Sequence, residues 1–196
     1  MSFDYFVAVH RRDWPTAESV QLSLERRGYP LRLVEAPAVS FKVENFREGL
    51  HVIFEGRPVT LEADMEQATD ADDPDSLFGY IAECASKNFT ISNGDFFLTL
   101  TFRSDADQVR AGLYLAAAMI LEHNGYGFEN QAETHGGADF AHQLLLEAAD
   151  AAAFQRPAPE VLINPDFRFP EEEAVKPSSS RSIIGRILRL FGGGKG

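Results

Sequence analysis

Residues 5–9 (YFVAV) form an apolar run of strand length and predict a buried first strand. Ala17, Val20 and Leu24 then recur at helical spacing behind Asp13-Trp14-Pro15-Thr16, where Asp or Thr suits the N-cap and Pro is tolerated in the first turn. Arg26-Arg27-Gly28-Tyr29-Pro30 ends that helix, with bases at its negative end, Gly for a left-handed cap and Pro to bar continuation. Leu31 to Val34 predicts another strand, and Val39, Phe41 and Val43 alternate for a further short one. Residues 50–54 (LHVIF) and 58–63 (PVTLEA) flank Glu55-Gly56-Arg57 as a hairpin.

Asp73-Pro74-Asp75-Ser76 predicts a helix start, with acids favoured at the positive end, and a helix from about Leu77 to Ser86. Phe89 to Ile91 and Phe96 to Phe102 lie either side of Asn93-Gly94, the preferred two-residue hairpin turn. Ser104 with Asp107 reads as a capping box for a helix whose inner face carries Val109, Leu113, Ala116, Ala117, Ile120 and Leu121. A short strand over Tyr126 to Glu129 and a last helix over Ala138 to Phe154 complete the series.

Strands and helices alternating irregularly, with hairpins between them, predict an α+β two-layer sandwich: a mainly antiparallel sheet with helices on one face, with room for ferredoxin-like pieces. Three regions follow: an acidic α+β domain over 1–154, a Pro/Glu/Ser-rich linker over 155–180 that is partly docked, and a basic amphipathic tail over 181–196.

Charge sharpens this division. All thirty acids and thirteen of the eighteen bases lie in residues 1–175, a net charge of −17. Residues 176–196 hold five bases and no acid. The acidic domain argues against nucleic-acid binding, which draws its affinity from Lys and Arg on phosphates. A lone cysteine, Cys84, excludes an intrachain disulfide and reads as a small buried residue. With no signal peptide and no apolar stretch of spanning length, the expected location is cytoplasmic.

Walker, nucleophile-elbow, HExxH, CxxC and dinucleotide motifs are absent, and neither cofactor nor metal is expected. The chemistry that remains is sparse. His135 and His142 with Asp139 between them, helped by a carboxylate such as Glu133, suit a small hydrolase or a metal-dependent enzyme; the plainer reading is a loop and a cap. Asp70, Asp72, Asp73 and Asp75 close a dense acidic run from Glu62, without the Gly and terminal Glu of a calcium loop. A solvated loop is the ordinary reading, and a surface for a basic protein the functional one. In the tail, Ile183, Ile184, Ile187, Leu188 and Phe191 share a helical face opposite Arg186 and Arg189, which fits docking to its own domain, a partner groove or, weakly, a membrane surface.

Leu188-Arg189-Leu190-Phe191-Gly192-Gly193 resembles the end of ubiquitin over six positions and departs from it at Phe191. The rest of the chain does not read as a β-grasp domain, so a conjugation tail is not expected. In size, charge and mixed architecture the chain is similar to small acidic bacterial toxin-immunity proteins, without a shared motif. The sequence therefore favours a non-enzymatic, protein-binding domain of immunity or adaptor type with a basic partner.

Overall fold

The computed structural model describes residues 3–35, 41–42, 46, 48–85, 87–103 and 105–155. The linker, the tail with all its named residues, and Val39 and Val43 of the expected short strand lie outside that set; Phe41 is buried but not in a strand. In order, the elements are β1 (Phe3–Val9), α1 (Ala17–Arg26), β2 (Leu31–Leu33), β3 (Leu50–Phe54), β4 (Arg57–Gln67), α2 (Leu77–Ala85), β5 (Phe96–Phe102), α3 (Ala106–Glu122), β6 (Tyr126–Glu129), β7 (Thr134–Gly136) and α4 (Ala138–Gln155), with a 3₁₀ turn at Arg11–Asp13 after β1.

The strands form one antiparallel sheet in the order β2-β3-β4-β5-β1-β6-β7. This is the expected α+β sandwich. The strand order β4-β5-β1-β6, with α1 following β1 and α3 joining β5 to β6, is the split βαβ arrangement of ferredoxin-like folds. β2 and β3 extend one side, and β7 the other. β1 is an interior strand, paired on both edges, with β5 (Phe3 opposite Phe102) and with β6 (Phe6 opposite Phe128), and its two faces enter separate cores. That is why its sequence is an unbroken apolar run rather than an alternating one.

Side chains alternate across the sheet and build two cores. Phe3, Tyr5, Val7 and Val9 point to the main core with α1, α3 and α4. Phe6 and Ala8 point the other way, to a smaller core with Ile81 and Ala85 of α2, Phe97 and Phe128. Three helices therefore cover one face and α2 covers part of the other. α3 is the main brace: its alanines 116 to 118 are fully buried, and Gly112 sits where an added Cβ would meet the Phe102 ring at 2.3 Å. At its start the buried Arg110 guanidinium lies 4.8 Å over the Phe54 ring and forks onto Glu55, tying α3 to the β3–β4 hairpin.

Local signals account for the ends of elements. Thr16 Oγ1 accepts from Ser19 N–H (3.0 Å), and Gly28 closes α1 at φ +66°. Ser76 Oγ accepts from Gly79 N–H (2.9 Å), so the expected start of α2 is realised with Ser76 as its cap. α3 begins one step later than the Ser104 box implies: Asp105 accepts from Gln108 N–H at 2.9 Å. The Asn93-Gly94 hairpin does not form. Phe89 to Ile91 is not a strand, because Phe89 stacks between His10 and Tyr126 while Ile91 enters the smaller core; β5 pairs instead with β1 and β4.

Candidate functional site

β4 is longer than its apolar residues suggest, and its length reorganises the acidic run. Arg57 to Leu61 pair with β3, whereas Glu62 to Gln67 pair with β5 on the strand's other side. Leu61, Ala63 and Met65 face the main core, so Glu62, Asp64 and Glu66 project together from the opposite face. There Glu62 lies across from Thr101, which lies across from Asp4. α2 covers the part of this face around Phe97 and Ala8 but leaves these carboxylates exposed or, for Asp4, half-buried. Thr101 donates to Asp4 Oδ1 at 2.7 Å. Arg103 forks onto Glu62 (2.7 and 2.8 Å), and that hydrogen bond holds the Glu62 carboxyl below its usual range. A recess of about 490 Å³ lies beside the strand, lined by Phe46, Gly49, Glu62, Asp64, Thr99 and Thr101 among others.

The loop residues Asp70, Asp72, Asp73 and Asp75 are all exposed, as a solvated loop requires. Several have local work. Asp72 accepts from Asn93 Nδ2 (3.1 Å), Asp73 accepts from Asp75 N–H (3.0 Å) and Asp70 accepts from the Thr69 hydroxyl (3.0 Å). Gly79 keeps the loop close to α2, since a Cβ there would lie 1.8 Å from the Asp73 carbonyl oxygen. The acidic run is thus two features: a strand face and a helix-capping loop. Sequence reasoning ended the strand at Ala63, although Leu61, Ala63 and Met65 alternating with acids was a period-two signal.

At the other edge of the sheet, Thr134–Gly136 is the strand β7 rather than a loop, pairing with β6 so that His135 faces Phe128. The His135 ring stacks on Phe128 (6.1 Å), and the Tyr126 hydroxyl lies 2.7 Å from its Nδ1. An open recess of about 670 Å³ is lined by Tyr126, Glu133, His135 and Asp139, but not by His142. The alternative reading of His135, Asp139 and His142 as one site gains no metal centre, since the described residues contain no group of three or more His, Cys, Asp or Glu able to hold a metal ion. Cys84 is half-buried at the margin of the smaller core, more open than expected. Trp14 is buried as a packing anchor, with its indole N–H donating to Phe41 O at 3.1 Å.

Sequence missed the most perturbed carboxyl. Glu147 of α4 is buried, and loss of water pushes it up to about 7, with the negative charge of Glu129 adding to the rise and a hydrogen bond from Gln143 opposing it. Its only sequence signal is an acid on the inner side of a helix otherwise read from its alanines and leucines. Among the described residues no helix is long and apolar enough to cross a membrane. Compared with known protein families, curated proteins and solved structures, the chain matches none.

Proposed function

We propose that this chain is a non-enzymatic protein-binding domain, of bacterial immunity or adaptor type, whose partner is a basic protein. The observation that carries this reading is the predominantly negative surface formed by Asp4, Glu62, Asp64 and Glu66 on the open sheet face and continued in sequence by Asp70, Asp72, Asp73 and Asp75. In the described residues Arg103 pairs with Glu62, and no other ion pair reaches this set. Like charges held on one rigid face cost self-repulsion, and a complementary partner relieves it while gaining a faster encounter.

Capture on the immobilised full-length chain from lysate of the source cells, at low and at high salt, tests this. The expected product is a protein of high isoelectric point whose retention falls as salt rises. Retention of acidic proteins, or salt-independent retention, overturns the reading.

A further inference from the structure

Among the described residues, the change of partner along β4 leaves one edge of its second half without a paired strand. β3 ends its pairing where Leu50 meets Leu61, and from Glu62 onward the described residues provide a strand only on the β5 side. Backbone groups of a strand alternate in direction, and Ala68 N–H donates toward β5, to Asp95 O at 2.8 Å. By parity Glu62, Asp64 and Glu66 direct their N–H groups to β5, whereas Ala63, Met65 and Gln67 direct theirs to the opposite edge. One side-chain contact agrees: Met65 N–H is held at 2.7 Å by Asp64 Oδ1, the neighbour's carboxylate standing in for a missing ladder carbonyl. The recess of about 490 Å³ opens along this segment, and within it the Thr99 hydroxyl oxygen is shielded from solvent without a hydrogen-bonding partner.

We infer that the Glu62–Gln67 edge of β4 takes up an extended segment of the basic partner as an added strand. The inference rests on the reading above and gives it a place and a geometry. An added strand would meet the N–H groups of Ala63, Met65 and Gln67. Its side chains on the open face would lie across from Glu62, Asp64 and Glu66, where opposite charges on paired strands attract. Those on the other face would approach Phe46 and the core side of Ala63 and Met65, where apolar residues fit. The chemistry selected is therefore Lys or Arg alternating with apolar residues. The carboxylates also have a plain use, since charges on an exposed edge deter pairing with a second acidic copy; both uses favour a basic strand over a like one.

The test uses the full-length chain and a short fluorescent peptide alternating Lys and Val, with two companions: one alternating Glu and Val, and one N-methylated on the backbone edge presented to the protein. The Lys peptide is expected to bind and the Glu peptide not. N-methylation and the isosteric pair Asp64→Asn with Glu66→Gln should each weaken binding about tenfold, while Asp70→Asn with Asp75→Asn changes it less than about twofold. Equal loss in the two acidic pairs, or indifference to N-methylation, overturns the edge site while leaving a basic partner in place. Failure of the Lys peptide to bind also overturns the edge site, and capture of a basic protein by the chain then shows separately whether the partner reading stands. A measurement without peptide decides independently. If the Met65 and Gln67 amides of the free protein exchange as slowly as those of Asp64 and Glu66, the edge is already filled by the chain itself and the proposal fails.

Discussion

Glu147 shows how one side chain sets a pH response. Its carboxyl is held at about 7 in the folded protein, chiefly by burial, against about 4.5 when unfolded. The protonated form therefore favours folding. That advantage is complete below about pH 4.5 and is lost as pH rises through about 7, because the unfolded chain has by then released a proton that the folded chain retains. The difference corresponds to about 3 kcal/mol. Glu147→Gln keeps the shape and removes the charge, so denaturant unfolding should find it more stable than the parent by roughly that amount at pH 8 and nearly equal at pH 5. A gain of the same size at both pH values would show that packing, not titration, is responsible. Burial of this residue was not legible in the sequence, because a helix facing two layers hides a polar residue among apolar ones at the same spacing.

At the scale of elements, α2 and α3 differ in what holds them. α3 buries eleven residues from Val109 to Ile120, whereas α2 buries Gly79, Ile81 and Ala85. Segments with little buried apolar surface open at lower free energy than the whole fold. The amides of Ile81 to Ala85 should thus exchange by a local opening that persists in the absence of denaturant, while those of Leu113 to Ala117 exchange only on global unfolding. Identical exchange free energies for the two helices would contradict this. α1 and β3 were readable because local signals agreed, Thr16 and Gly28 capping α1 and residues 50–54 alternating, while α3 was readable from its apolar spacing although its cap is Asp105 rather than Ser104. The Asn93-Gly94 hairpin misled because the turn signal is local, while the pairing of Phe96–Phe102 with β1 is decided by contacts almost a hundred residues away. β7 carries too few residues, with His135 between Thr134 and Gly136, to show any period.

For the whole molecule, the sequence disclosed the charge division and the α+β class but not which carboxylates share a surface, since that depends on where β4 changes neighbours. The position of β1 has a consequence for the order in which the protein is made. This interior strand is synthesised before either strand that flanks it: Phe3 waits for Phe102, and Phe6 for Phe128. At about 5–20 residues per second, an apolar strand emerges roughly 5–20 s before its neighbours exist. Chains ended at residue 95 should accordingly remain protease-sensitive and bind chaperones that hold apolar segments, while the full chain resists digestion. Protease resistance of the shorter chain would mean that β1 finds a stable resting place elsewhere. Until β5 arrives, the strand that organises the finished sheet is the nascent chain's principal aggregation hazard.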